Sequence, residues 1–150
     1  MSRLRAALIA ALLAGVTIGL GYAVSAVDGT SDAGAAVGPG IVTVRVGINH
    51  SHFDLNDLHV RAGTLVRFVV HNDDPIDHEF VVGDDAVHAQ HEHGHEATHP
   101  PVPGEVSIGP GETGETTYTF ATPGAITYAC HLPRHIAYGM AGTITVDAAR

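Results

Sequence analysis

The residues best suited to chemistry lie in one short window near the C-terminus. Cys130 is the only cysteine of the chain, and Met140 is the only methionine besides the initiator. His135 lies midway between them, five residues from each. A thiolate, an imidazole and a thioether together suit a soft or borderline metal ion, copper above all. His78 is the best candidate for a second imidazole, because it follows a proline-containing turn and opens a predicted strand.

Each of these residues taken alone has a simpler structural explanation. Cys130 could be a small buried hydrophobic residue, Met140 could fill the core, and His135 could lie at the surface. The metal interpretation is favoured for the group as a whole. A free thiol in an oxidising compartment is exposed to oxidation unless it is buried or bound to a metal.

The N-terminus predicts such a compartment. Arg3 and Arg5 precede an uncharged stretch over residues 6–27, a pattern typical of export. The stretch is longer than the ~7–15 residues of a signal-peptide core and reaches the ~20 residues that span a bilayer. We therefore expect residues 1–27 to be a signal peptide or a membrane anchor, with the remainder in the periplasm or cell envelope. Residues 28–40, rich in Gly, Ala, Ser and Asp, predict a flexible linker.

Short strands must position the candidate ligands. From residue 41 onward, short apolar-alternating runs are separated by Gly, Pro, Asn and Asp turns. This pattern predicts an all-β domain over residues 41–148, a sandwich or a barrel. Alternation before Cys130 points its side chain into the core. Residues 84–103 show no alternation and predict a long loop.

That loop carries several histidines. They could form a secondary, exchangeable site for Cu(II) or Zn(II), since imidazole suits both ions. A solvated loop is an equally good interpretation, because a flexible tract gives no fixed ligand geometry. The five histidines concerned are His88, His91, His93, His95 and His99.

The amino-acid composition limits the classes of molecule that the protein can bind. The 150 residues include 16 acidic and seven basic residues, for a formal net charge of −9, and no lysine. Phosphate binding requires a basic surface, so nucleic acid is excluded as a partner. A lone cysteine excludes an intrachain disulfide.

The ligand window has the form Cys-x₄-His-x₄-Met, with an upstream histidine beside an Asn/Asp/Pro turn. With an all-β domain over residues 41–148, it resembles the cupredoxins, or blue (type 1) copper proteins. The long ligand loop is similar to that of rusticyanin-like members. The resemblance implies a Greek-key β-sandwich that binds one copper ion and transfers one electron at a time. It also implies His78, Cys130 and His135 as equatorial ligands, with Met140 as the long axial ligand.

One position departs from the cupredoxin pattern. Glu79 follows His78, where many cupredoxins have an asparagine that helps tie the two ligand loops together. Because such supporting groups orient the ligands and tune the potential, another side chain is expected to compensate. Asn72 and Asp74 are the candidates.

The expected function is that of an exported one-electron carrier. It is not expected to be an enzyme, because four protein ligands leave no open coordination position for a substrate. We expect electrons to leave through His135, and redox partner proteins to dock transiently, steered by the acidic surface. The apolar rim around that exit would be formed by Leu132, Pro133, Ile136 and Ala137.

Two other functions stay open. The first is copper binding, delivery or storage by the His-rich loop together with the same thiolate. The second is a role as a domain of an oxidase or reductase. His131 directly follows Cys130, as in multicopper oxidases, but Ala129 occupies the preceding position, where those enzymes have a second histidine.

Overall fold

The computed structural model describes residues 25–28, 36–93 and 102–149. Strands dominate these ranges, with one α-helix and one short 3₁₀-helix (Ile136–Tyr138). The strands are β1 (Ser25–Asp28), β2 (Ile41–Asn49), β3 (His52–Phe53), β4 (His59–Arg61), β5 (Thr64–Asn72), β6 (His78–Gly83), β7 (Glu105–Ile108), β8 (Thr113–Phe120), β9 (Gly124–Ala129) and β10 (Ala141–Asp147).

The strands form two sheets around one hydrophobic core. The first sheet has the order β1-β2-β5-β8, with β3 paired to β2, and the second has the order β4-β10-β9-β6-β7. The pairs β2–β5 and β4–β10 are parallel, so partners that are distant in sequence lie side by side. The predicted all-β sandwich is confirmed as a mostly-β fold of two sheets over the described residues, which also include one α-helix.

Period-two alternation builds the core of the first sheet. In β5, Val66, Phe68 and Val70 are fully buried, because alternate residues of a strand point to the same face. Phe68 packs against Phe80 of β6, with ring centroids 5.1 Å apart. All six residues of β6 are buried. The first candidate ligand, His78, therefore opens a strand that is fixed along its whole length.

One part of the predicted loop is helical. Residues Asp85–His93 form helix α1, so the expectation of a loop over residues 84–103 is wrong for this segment. Oδ1 of Asp84 accepts hydrogen bonds from the backbone N–H groups of Ala86 and Val87 at 3.0 and 3.1 Å, as an N-cap does. The helix is polar on most of its surface, so it lacks the apolar stripe by which a helix is recognised in a sequence.

The predicted N-terminal segments fall largely outside the described residues. The hydrophobic segment lies outside them except for β1, which pairs in parallel with β2. Of the predicted linker, Val37 exchanges backbone hydrogen bonds with His59 and Arg61 at 2.9 Å. Residues 36–40 thus attach to the edge of the second sheet. In the described ranges, no helix has the length and apolarity needed to cross a membrane.

Tyr128 ties β9 to the loop after β3. Its hydroxyl donates to the backbone carbonyl of Leu55 at 2.5 Å, and the residue is only 5% exposed. Its ring packs edge-on against Phe53, with centroids 5.6 Å apart. This contact fixes the strand that leads directly into Cys130.

We expect Tyr128→Phe to lower the free energy of unfolding by about 1–3 kcal/mol, because the buried Leu55 carbonyl loses this donor. Urea denaturation followed by circular dichroism measures the change. The control is Tyr138→Phe, because Tyr138 is 54% exposed and should shift stability by less than about 0.5 kcal/mol. Equal effects of the two substitutions would contradict the role given to the Tyr128 hydroxyl.

Candidate metal centre

Three predicted ligands converge in the structure. One donor atom from each of His78, Cys130 and His135 lies within 4.8 Å of the other two. The Cys130 Sγ is 3.1 Å from the His135 Nδ1, and the two imidazole centroids are 4.8 Å apart. His78 opens β6, Cys130 follows β9, and His135 precedes the 3₁₀-helix. The fold therefore gathers a thiol and two imidazoles from two separate stretches of chain.

The His78 ring is oriented for ligation. Its side chain is fully buried, and Nε2 lies 3.0 Å from the Asp74 Oδ2. Nδ1 is buried and has no hydrogen-bond partner among the described residues. A buried polar atom without a partner is rare in folded proteins and requires an explanation. A metal ion bound to Nδ1, beside the thiol and the second imidazole, supplies one.

Asp74 holds this orientation. Its carboxylate accepts hydrogen bonds from the backbone N–H groups of His50 and Ser51, both at 2.7 Å. Desolvation acts to raise the pKa of Asp74, but these hydrogen bonds and that from His78 outweigh it, so the pKa is lowered. The carboxylate is thus ionised at neutral pH and accepts the Nε2–H of His78. A partner of this kind fixes the imidazole tautomer and raises the basicity of the ligating nitrogen.

Cys130 is fully buried and its thiol is protonated in the metal-free protein. Burial raises the pKa of Cys130 to about 11, against the opposing effect of the backbone N–H groups of Glu79 and Leu132. The Glu79 N–H donates to Sγ at 3.4 Å. Because the thiolate is the metal ligand, copper binding must displace the thiol proton.

Glu79 ties the two ligand segments together. Its side chain is buried, and Oε1 accepts the backbone N–H of His131 at 2.6 Å, while its own N–H donates to Cys130. The expectation that Asn72 or Asp74 takes this role is therefore wrong. Asp74 supports His78 instead, and the Asn72 amide nitrogen donates to backbone carbonyls of the neighbouring loops.

His135 is the most exposed of the three converging ligands. Burial and the nearby His78 lower the pKa of His135, so its imidazole is neutral at pH 7 and free to bind a metal. The 3₁₀-helix that follows is capped by Gly139, whose φ of 97° lies in the left-handed region that favours glycine. That turn brings the chain back toward the core.

Met140 closes the ligand loop. It is fully buried, its carbonyl accepts the N–H of Cys130 at 3.0 Å, and its N–H donates to the carbonyl of His135 at 3.1 Å. These bonds fix the methionine backbone beside both of the other loop ligands. Axial ligation by its thioether stays a prediction.

Two of the predicted secondary ligands lie beside a third histidine. The His88 Nδ1 is 2.8 Å from the His131 Nε2, and the His91 ring stacks on that of His131 with centroids 5.4 Å apart. Burial and the neighbouring His88 lower the pKa of His131 to about 4. The side chain of His93, and both His95 and His99, lie outside the described residues. The contact of His88 and His91 with His131 could not be predicted from the sequence, because it depends on the unpredicted helix α1.

We expect Asp74→Asn to weaken Cu(II) binding by about 10–100-fold. An uncharged partner stabilises Cu(II) less, so the reduction potential should rise by about 59 mV for each tenfold loss of Cu(II) affinity relative to Cu(I). Voltammetry of the copper-loaded variant measures the shift. The control is Asp73→Asn, whose carboxylate faces the exposed His71 at 3.2 Å. Equal potentials for the two variants would contradict the role of Asp74.

The solved structures that share this fold include an auracyanin and a rusticyanin. Auracyanin A from Chloroflexus aurantiacus, a "blue" copper protein, has a TM-score of 0.56 at 26% identity, over 72% of this chain and 100% of its own. A rusticyanin variant has a TM-score of 0.56 at 20% identity, over 79% of this chain and 84% of its own. The second likeness is one of fold alone.

The sequence relatives of this chain are also named as copper proteins. The copper-resistant cuproprotein CopI of Rubrivivax gelatinosus is 37% identical over 108 residues, which cover 69% of this chain and 66% of that protein. CopI of Pseudomonas aeruginosa is 28% identical over 138 residues, which cover 70% of this chain and 76% of that protein. The model of the copper-binding proteins of the plastocyanin/azurin family matches residues 41–147. The chain therefore belongs to that family, the cupredoxins.

Proposed function

We propose that this protein is an exported one-electron carrier with a single type 1 copper ion. The ion would be bound by His78, Cys130 and His135, with Met140 as the axial ligand. The observation that carries the proposal is that one donor atom each of His78, Cys130 and His135 lies within 4.8 Å of the other two. When bound, the copper ion would supply one-electron redox chemistry between Cu(I) and Cu(II).

The protein restrains each donor separately, and this favours electron transfer. Asp74 holds the His78 ring, the Glu79 N–H holds the Cys130 sulfur, and backbone bonds hold the loop around His135. Ligands fixed in this way move little when the charge of the ion changes. With Met140 as a fourth ligand, the ion would have no open position for a substrate, which supports a carrier rather than an enzyme.

The surface beside His135 suits brief docking of a redox partner. Leu132 of the predicted rim packs partly on the core, whereas its other members are exposed. Ile76, two residues before His78, and Tyr138, three residues after His135, are exposed as well. The exposed apolar residues of the two ligand segments are Ile76, Pro133, Ile136, Ala137 and Tyr138.

The proposed location is the periplasm or cell envelope. Two arginines followed by the uncharged stretch over residues 6–27 form an export pattern. A compartment of that kind also explains why a lone thiol would need burial or a bound metal.

Copper handling is the second candidate function. The observation that favours it is the name of the relatives, which are copper-resistant cuproproteins. A protein that stores or delivers copper must release the ion, whereas an electron carrier must keep it through many redox cycles. The rate of copper loss therefore separates the two functions.

The test begins with protein loaded with one equivalent of copper. An electron carrier should show a strong visible thiolate-to-copper band, a reversible one-electron wave, and no copper loss to a Cu(I) chelator over many cycles. Cys130→Ser should abolish the band and leave the circular dichroism of the fold unchanged, while the control His59→Gln keeps both. Rapid loss of copper to the chelator from the reduced protein would instead support copper handling.

Met140→Leu tests the axial ligand. The variant should keep copper and the visible band but have a higher reduction potential, because a weak axial donor is lost. The volume-conserving change should cost less than about 1.5 kcal/mol of stability, so the fold survives. Voltammetry measures the shift. An unchanged potential would show that Met140 only packs in the core. A colourless product would show that Met140 is more than a weak axial ligand.

A further inference from the structure

A group of three imidazoles lies outside the Cys130 centre. We call His88, His91 and His131 the histidine cluster. His88 and His91 are three residues apart on α1, a spacing that places both on one face of a helix. His131 comes from the segment after β9 and meets that face. The cluster therefore joins two elements that are 40 or more residues apart in the chain.

The donor atoms of His88 and His131 face each other. The His88 Nδ1 is 2.8 Å from the His131 Nε2. On the other side of its ring, the His88 Nε2 lies 3.2 Å from the backbone carbonyl of Thr127. Since only an N–H can bond to that carbonyl, the proton is on Nε2 and the lone pair of Nδ1 points toward His131. Metal-ligating histidines commonly donate their second N–H to a backbone carbonyl in this way.

A hydrogen bond between the two rings would explain why His88 and His131 are close, but not why a third imidazole and a carboxylate lie beside them. The His91 ring stacks on His131, and its Nε2 lies 3.2 Å from a carboxylate oxygen of Glu105. Three imidazoles and one carboxylate at one place form a donor set for a borderline metal ion.

The cluster is also reachable from solvent. The side chains of His91 and Glu105 are 14% and 19% exposed, whereas His88 is buried. The side of the cluster formed by His91 is therefore the side that solvent reaches. The formal net charge of −9 favours the approach of a cation.

We propose that the histidine cluster is a second metal site, which binds one Cu(II) ion. The His88 Nδ1 and the His131 Nε2 are the first two ligands, and His91 becomes the third after its side chain rotates away from Glu105. Water completes the coordination, because this site has an exposed side. Cu(II) is preferred over Zn(II) at imidazole donors. The inference does not depend on electron transfer, since copper at the Cys130 centre would have its own visible band, separate from the signal of this site.

The test is a titration of the full chain, already carrying one equivalent of copper, with further Cu(II). A second equivalent should bind and give an electron paramagnetic resonance signal with nitrogen ligands, distinct from that of the thiolate centre. The double variant His88→Gln and His91→Gln should lose this equivalent, with affinity reduced at least about tenfold, and keep the visible band. The single variant His91→Gln should weaken it without disturbing the buried His88.

Two matched controls decide the assignment. The double variant His59→Gln and His71→Gln removes two histidines that lie beside Asp147 and Asp73 elsewhere on the surface, and it should keep the second equivalent. The triple variant His93→Gln, His95→Gln and His99→Gln should keep it as well. Failure of the parent protein to bind a second equivalent would overturn the proposal. Full binding by the His88/His91 double variant, or loss in the triple variant alone, would overturn it too.

Discussion

The metal centre depends on one constraint, which is that His78 and Cys130, 52 residues apart in the chain, must stay within bonding distance of one ion. Sheet pairing does part of this work, because β6 and β9 are adjacent and antiparallel, with Val81 opposite Ala129. Hydrogen bonds of Glu79 also hold the two segments together. Its N–H donates to the Cys130 sulfur and its carboxylate accepts the His131 N–H. A single buried side chain thereby links the segment of His78 to that of Cys130.

Burying these polar groups is costly unless each has a partner. Asp74 receives three hydrogen bonds in addition to the one its N–H donates to Asn72. Asn72 in turn donates to carbonyls of two neighbouring loops. The network leaves the His78 Nδ1 without a hydrogen-bond partner among the described residues and close to the Cys130 sulfur. Cys130 and Met140 belong to the same buried hydrophobic cluster as Phe68 and Phe80, so close packing restrains this side of the centre.

The ligands could be predicted from the sequence because residue type alone marks them. A lone cysteine and a lone internal methionine, with a histidine between them, are informative at any position in a fold. The strands were predictable from alternation, as in β5. The role of Glu79 was not, since it depends on the distance between two segments rather than on local pattern. Helix α1 was also missed, because Asp84 caps a segment without an apolar stripe.

The missed helix explains why the histidine cluster was not foreseen. Five histidines in a presumed loop have no defined geometry, so the sequence could not distinguish a metal site from a solvated segment. Once α1 is formed, His88 and His91 contact His131, the residue that follows Cys130. Helical spacing thus turns two members of a diffuse histidine-rich segment into defined partners.

The central claim is that the sulfur of Cys130 and the imidazoles of His78 and His135 bind the same copper ion. X-ray absorption at the copper edge, on protein loaded with one equivalent, tests it most directly. The account predicts one short copper–sulfur bond together with two imidazole nitrogens. A first coordination shell of only nitrogen and oxygen atoms would contradict it.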